Sequence, residues 1–200
     1  MSIAEHRSLL IPQLAGGERS LTIADVATLP EELPSGPVNF ELDNGRLVAM
    51  APPGDVHGVV QGRIVRQFLN QGEDKGLGTA RTESGVILWR NPDRLVGPDA
   101  AFIANKSLPV RRSPEGYLET IPELVVEILS KNDSAERLAR KTADYLRAGV
   151  EVVWIADPQS KTITAHTRDG QPQVFGPQDD LTAETIIPGF RVRVAELFEV

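Results

Sequence analysis

The sequence predicts an α/β fold in which a mixed β-sheet is flanked by helices, with β-hairpins in addition. Two observations indicate this class: strand and helix patterns alternate along the chain, and two predicted strands are apolar runs with a helix between them. The 200 residues are enough for one domain with a substantial core. We expect residues 1–37, rich in Pro, Gly, Glu and Ser, to be a lead-in segment to a domain over residues 38–200.

The first predicted element of that domain is a β-hairpin. Residues 38–51 alternate between apolar and polar around Asn44-Gly45, a dipeptide that favours a two-residue hairpin turn. Such a turn places Glu41 directly opposite Val48. The hairpin therefore gives a fixed register from sequence alone.

A helix and two strands are predicted next. Apolar residues recur at every fourth position of the segment 55–72, which is typical of an amphipathic helix: Val56, Val60, Ile64 and Phe68. The segments 78–89 and 94–104 each predict one strand, and the turn over 90–93 joins them. A long polar loop follows.

The apolar run from Leu124 to Leu129 contains one charged residue, Glu127. An uninterrupted run of this length predicts a strand that is covered on both faces. A carboxylate in such a strand loses its hydration, which costs roughly several kcal/mol unless opposite charges or a metal compensate. Glu127 is therefore the residue whose presence most needs an explanation.

A second helix is predicted directly after this strand, over about residues 134–148. Asp133 and Glu136 are spaced like a capping box at its start, and Gly149 stands where a helix-terminating glycine belongs. The segment 151–157 is another apolar strand, and further strand candidates make the C-terminal end rich in β-structure.

Three side chains on these elements are candidates for a site. Asp99 and Glu127 are isolated carboxylates on two apolar strands, which suits a hard cation such as Mg²⁺ if the strands are neighbours. Lys141 lies near the edge of the apolar arc of the second helix and is the only charged residue within it. We therefore expect Lys141 to point toward the sheet and its carboxylates.

Composition and charge narrow the function classes. The chain has no cysteine, which excludes disulfides and thiolate metal sites. Its N-terminus has neither a signal peptide nor a membrane span, so we expect a cytoplasmic protein that does not enter membranes. The net charge of −7 and the pI near 5.1 count against a general high-affinity DNA binder, although they say little about one local groove.

Four motifs, taken together and in order, resemble a known family: FELDNGRLVAMAPPGDVHG, GPDAAFI, PELVVEILSKND and RKTADYLRAGVEVVWIADP. They look like the Uma-type restriction endonucleases, which are placed in the PD-(D/E)XK nuclease superfamily. The resemblance runs from about residue 38 to the end of the chain. It implies a restriction-endonuclease-like core, hydrolysis of DNA phosphodiester bonds with Mg²⁺ (or Mn²⁺), and a homodimer.

The resemblance also assigns site residues. It makes Pro98-Asp99 the "PD" pair and Glu127 the second acid, so that Asp99 and Glu127 would hold the metal. The usual lysine of the superfamily would fall at Leu129, and the family pattern puts it at Lys141 instead. Two further residues match the family as members of the catalytic set: Glu41 of the opening hairpin and His57 at the start of the first core helix.

Each of these residues also has a structural interpretation. The structural alternative for Glu127 is a carboxylate paired with a lysine or with backbone donors, and for Lys141 it is an alkyl stem that covers the core while the ammonium reaches water. Glu41 could be an exposed hairpin residue and His57 part of the helix start. At the level of the whole chain, the alternative to an endonuclease is a catalytically inactive nuclease-fold domain that binds nucleic acid or a protein partner.

Overall fold

The computed structural model of the chain describes residues 20–34, 36–130 and 133–199. Its strands are β1 (Glu32–Leu33), β2 (Gly36–Pro37), β3 (Asn39–Asp43), β4 (Arg46–Met50), β5 (Gly78–Thr82), β6 (Val86–Trp89), β7 (Arg94–Val96), β8 (Ala100–Ala104), β9 (Leu124–Ile128), β10 (Val152–Asp157), β11 (Thr162–Thr167), β12 (Gln173–Phe175), β13 (Asp180–Thr182) and β14 (Arg191–Arg193). The α-helices are α1 (Ile23–Val26), α2 (Asp55–Phe68), α3 (Ala135–Ala148) and α4 (Val194–Leu197). A π-helical turn (Leu69–Glu73) extends α2, and a 3₁₀ turn (Asn105–Ser107) follows β8.

Six strands form the main sheet, in the order β12-β11-β10-β9-β8-β5. β9 and β10 are parallel and are joined through α3, whereas the other neighbours are antiparallel. A second, antiparallel sheet has the order β4-β3-β7-β6, and two short strand pairs, β1-β2 and β13-β14, stand apart. The predicted class, α/β with a mixed sheet and additional hairpins, is confirmed.

Helices cover both faces of the main sheet, as the apolar strands require. On one face α2 packs its buried side chains, such as Ile64 and Phe68, against Phe102 and Trp154. On the other face Tyr145 of α3 packs within a cluster that includes strand residues of β8, β9 and β10. All five residues of β9 are buried, Glu127 among them, so the prediction of a strand covered on both faces is confirmed.

The predicted strands over 78–89 and 94–104 were wrong as single strands, because each divides between the two sheets. β5 and β8 pair in the main sheet, whereas β6 and β7 pair in the small one. The two segments break beside each other in the fold. At this point Glu83 has a positive φ of 47°, and its N–H donates to the carbonyl of Pro98. The chain therefore crosses from one sheet to the other twice at this junction.

The opening hairpin has the predicted register, with Glu41 opposite Val48 across β3 and β4. Asn44 and Gly45 both have positive φ, at 51° and 79°, as a turn of the favoured type needs. The hairpin joins the small sheet through Leu42, whose partner is Leu95 of β7.

Part of the predicted lead-in segment packs onto the domain. Residues 1–19 and 35 lie outside the described residues. Within residues 20–34, Ile23 and Val26 of α1 are buried beside Leu42 of β3. The carboxylate of Asp93 accepts a hydrogen bond from the N–H of Ile23. The boundary at residue 37 stays a prediction.

The helix α3 ends at the predicted glycine, but its N-cap differs from the prediction. Gly149 terminates the helix with φ 116° in the left-handed region. The N-cap is Ser134, whose hydroxyl accepts from the N–H of Arg137, so the predicted capping box at Asp133 was wrong. Asp133 instead accepts from the N–H of Ser130. The helix is therefore capped by the serine one residue after Asp133.

The periodicity of α2 also differs from expectation at one position. Val60, Ile64 and Phe68 are buried, whereas Val56, in the first turn of the helix, is 45% exposed.

Among the described residues, none of the helices is both long enough and apolar enough to span a membrane.

Candidate active site

The predicted acids meet where the chain passes from the small sheet into the main one. β8 and β9 are antiparallel, with Ala100 opposite Val126, so the next step of the register brings Asp99 and Glu127 together. Asp99 precedes β8 directly, and its Oδ2 accepts a hydrogen bond of 2.6 Å from the N–H of Ile128. The two carboxylates predicted to share a site are therefore on adjacent strands.

Glu127 is held by two side chains of α3. Its Oε2 accepts from the ammonium of Lys141 at 2.8 Å, and its Oε1 accepts from the hydroxyl of Tyr145 at 2.6 Å. The pKa of Glu127 is raised from 4.5 to about 7, because burial and the charges of Asp99 and Glu41 together outweigh the lowering effect of Lys141. The acid is thus poised near neutral pH.

Lys141 points into the protein, as its place on the apolar arc of the helix predicts. The residue is only 6% exposed, which excludes an ammonium that reaches water. Its Nζ lies 2.8 Å from Glu127 and 2.8 Å from Oε1 of Glu41. Burial alone would lower the pKa of Lys141, but the two carboxylates outweigh burial and raise it, so the lysine stays charged.

Glu41 comes from the hairpin of the small sheet and is 4% exposed, which excludes the interpretation as an exposed hairpin residue. Besides Lys141, it accepts a 3.0 Å hydrogen bond from the N–H of Gly97, in the segment that leads to Asp99. Burial would raise the pKa of Glu41, and the charge of Lys141 lowers it below its ordinary value. The ion pair between Glu41 and Lys141 therefore connects the small sheet to α3.

His57, in the first turn of α2, lies on the other side of Asp99. Its Nε2 is 3.2 Å from Oδ2 of Asp99. Burial opposes the charged imidazole, yet the hydrogen bond to Asp99 and that residue's charge raise the pKa of His57 above 6.5. One turn later, Gln61 donates to the backbone carbonyl of Asp99 at 2.7 Å. The helix α2 therefore fixes both the backbone and the side chain of Asp99.

Two residues of α3 at the site were not predicted from the sequence. Tyr145 belongs to the apolar arc of the helix and so resembles a core residue, and Arg137 lies outside that arc. The guanidinium of Arg137 lies 3.7 Å from Glu41 and is 36% exposed, so it stands at the solvent side of the buried charges. The four-residue spacing of Arg137, Lys141 and Tyr145 was the available signal, since it aligns them on one side of a helix.

The donor set suits a small divalent cation. Within residues 20–34, 36–130 and 133–199, no group of three or more His, Cys, Asp or Glu is arranged to hold a metal by itself. Mg²⁺ commonly takes only one or two protein carboxylates and completes its shell with water and substrate phosphate. Here burial raises the pKa of Glu127 most, and the charge of Asp99 on the adjacent strand position adds to that effect. A cation between Asp99 and Glu127 would favour the charged form of both carboxylates, so these residues fit one.

The chain is similar to a known family and to a solved structure. A family model described as "Uma2: Putative restriction endonuclease" matches residues 26–195. The fold is similar to that of "a putative nuclease belonging to DUF820" from Anabaena variabilis ATCC 29413, with a TM-score of 0.72 and 19% identity over 89% of this chain and 97% of that one. The search of curated proteins gave no match. At 19% identity the structural likeness shows the fold alone.

Proposed function

This chain belongs to the Uma2 family, and on that premise we propose that it is a metal-dependent endonuclease that hydrolyses DNA phosphodiester bonds. One observation carries the proposal: Asp99 and Glu127 meet across β8 and β9, and Lys141 of α3 binds the second acid. Phosphoryl transfer depends on positioning and on charge near the phosphate, and it needs no covalent nucleophile on the protein. The buried acids and lysine supply those two requirements.

Asp99 and Glu127 are the residues that would hold Mg²⁺ or Mn²⁺. When bound, such an ion polarises the scissile phosphate and lowers the pKa of the attacking water. The protein's own part is to fix the two carboxylates before substrate arrives. Asp99 is fixed by the N–H of Ile128 and by His57, and its two contacts use a single oxygen, Oδ2. We assign His57 the role of orienting Asp99.

Lys141 would neutralise the charge that develops on the phosphate, or position the water. An ammonium has three N–H donors, and the contacts to Glu127 and Glu41 account for two of them within the described part of the chain. The third is then available for a phosphate oxygen. We assign Glu41 the role of holding Lys141 in place, since it comes from the small sheet and binds the same ammonium as Glu127.

The alternative is a catalytically inactive nuclease-fold domain that binds nucleic acid or a protein partner. The net charge of −7 favours it, as does Leu129 at the position where the superfamily has its lysine. The contact between Lys141 and Glu127 favours the enzyme, because it supplies a lysine to the second acid from a neighbouring helix. Retaining so many buried charges is also costly for a domain that performs no chemistry.

Incubation of the pure protein with supercoiled and single-stranded DNA separates the two functions. We expect nicking with Mg²⁺ or Mn²⁺ and none in EDTA. Asp99→Ala should abolish both the nicking and the calorimetric binding of Mn²⁺. The matched control is Asp169→Ala, in an exposed turn, which should behave as the wild type. DNA binding without cleavage under every metal condition would identify the inactive domain instead, and equal Mn²⁺ binding by Asp99→Ala would refute the metal assignment.

A further inference from the structure

Tyr145 is a buried titratable residue to which the proposed chemistry gives no part. The residue is fully buried, within an apolar cluster that includes Val125 and Val153. Packing in such a cluster needs only the ring, so phenylalanine would serve it equally well. The hydroxyl group must therefore be explained separately, because a buried tyrosine O–H normally finds a specific partner.

The partner of that hydroxyl is the second acid of the site. Tyr145 donates a 2.6 Å hydrogen bond to Oε1 of Glu127, while Lys141 binds Oε2 of the same carboxylate. The two donors are four residues apart on α3, so one face of the helix presents both of them to Glu127. The carboxylate is held at both of its oxygens.

Holding both oxygens has a geometric consequence. The terminal torsion of a glutamate side chain is broad, so a carboxylate with one donor can still turn about its last bond. A second donor at the other oxygen fixes the plane of the group. The carboxylate plane at Glu127 determines which lone pairs face Asp99 on the adjacent strand, where the cation would lie.

We propose that Tyr145 is a positioning residue of this site, which fixes the orientation of Glu127 for binding a divalent cation. The proposal rests on the proposed function, since it concerns the cation that Glu127 and Asp99 would hold. Tyr145 acts through Glu127 and touches neither substrate nor cation. The same contact also links the cation site to α3, so the helix contributes to cation binding through two side chains.

Tyr145→Phe tests this directly, because it keeps the ring and removes the hydroxyl. The chain has two tyrosines, and Tyr117→Phe is the matched control: Tyr117 is half-buried beside the small sheet. Removing a partner that orients a metal ligand typically lowers affinity or activity about 10–100-fold. We expect Tyr145→Phe to weaken calorimetric Mn²⁺ binding by about 10-fold or more, and to lower kcat for plasmid nicking while KM for DNA stays unchanged.

A second measurement needs no substitution at Tyr145. Tyrosine labelled with ¹³C at Cζ gives two signals, and the Tyr117→Phe protein shows which of them belongs to Tyr145. We expect saturating Mg²⁺ to shift the Tyr145 signal and leave that of Tyr117 in place. This result would support the proposal even where Tyr145→Phe failed to fold by circular dichroism.

The outcomes separate this inference from the proposed function. A folded Tyr145→Phe protein with wild-type Mn²⁺ affinity and wild-type kcat would overturn the role of Tyr145 alone. An unshifted Tyr145 signal at saturating Mg²⁺ would do the same. Wild-type protein that neither binds Mn²⁺ nor cuts DNA would overturn the proposed function, and the inference would fall with it.

Discussion

At the scale of residues, the partners of Glu127 explain why a single carboxylate can stand in an apolar strand. Glu127 is buried in β9, and the ammonium of Lys141 and the hydroxyl of Tyr145 each satisfy one of its oxygens. Those partners make burial tolerable, yet they do not offset the lost hydration and the charges of Asp99 and Glu41, so the pKa of Glu127 is raised to about 7. The charged form of Glu127 is therefore costly in the protein alone, and a bound cation would favour it.

Lys141 can be tested against a charged neighbour on the same helix. Loss of its charge leaves two buried acids without their cation, which typically costs roughly 3–5 kcal/mol of stability. Lys141→Gln is preferable to a truncation because the glutamine amide can still donate hydrogen bonds to those acids. We expect the variant, at a temperature where circular dichroism shows it folded, to nick plasmid about 10²–10³-fold more slowly. Arg140→Gln is the control, because Arg140 is exposed and pairs with Glu136 at the surface. Wild-type nicking by folded Lys141→Gln would contradict the role of the lysine.

The raised pKa of Glu127 predicts a pH dependence of stability. The pKa of this carboxyl is 4.5 in the unfolded chain and about 7 in the folded protein, so the folded state binds more protons between these values. The free energy of unfolding should accordingly fall as pH rises from about 4.5 to about 7, with a slope of at most about 1.4 kcal/mol per pH unit from this group. Urea unfolding in EDTA across this range measures it.

Glu127→Gln is the control for that measurement, since it keeps the shape and removes the titration. The contribution should be present in full below pH 4.5 and lost above about 7 in the wild type, and absent in the variant. His57 also has a raised pKa and contributes to both proteins equally, so only the difference between the two curves reports Glu127. Parallel curves for wild type and variant would show that the pKa is not raised.

At the scale of elements, α3 positions the site through its face and its ends. The helix connects the parallel strands β9 and β10 and directs Lys141 and Tyr145 onto the first of them. Ser134 caps its start, and Gly149 ends it in a left-handed conformation. Its orientation over the sheet thus depends on two residues that carry no chemistry.

Glycine substitutions at two helices should have opposite effects on stability. Gly149 has φ 116°, where a Cβ is strained although space is open, so Gly149→Ala should cost about 1 kcal/mol. Gly62 lies in α2 with no atom within 4 Å of an added Cβ, and Gly62→Ala should gain about 0.4–1 kcal/mol. Each kcal/mol shifts Tm by about 2–4 °C in a protein of this size, which calorimetry resolves. Equal shifts in one direction would contradict the assignment of Gly149 as a cap.

At the scale of the whole molecule, we predict a homodimer. Cutting both strands of a duplex is most simply done by two sites related by a two-fold axis, and this argument from symmetry is the basis of the prediction. Light scattering at micromolar concentration should give twice the chain mass of 21.8 kDa. A mass of 21.8 kDa alone, with nicking of one strand at a time, would contradict it.

The sequence by itself determined the parts of this protein that depend on local pattern. The turn at Asn44-Gly45 set the hairpin register, and the helical period directed Lys141 toward the sheet. The apolar run around Glu127 predicted a buried strand with an acid that needed a partner. These features follow from the periods at which side chains repeat along a strand and along a helix. Residues that are close in sequence specify those periods without the rest of the fold.

Only the tertiary structure decided how distant segments meet. Ser84-Gly85 and Gly97-Pro98 mark breaks in the two segments, but the sheet that each half joins depends on the distant partners of β5 and β6, which are β8 and β7. The burial of Glu41 likewise depends on Lys141, which lies 100 residues away in the sequence and reaches it through packing of α3 against the small sheet. Pairing between distant strands and ion pairs between separate elements arise from the collapse of the whole chain, and a linear pattern does not encode them.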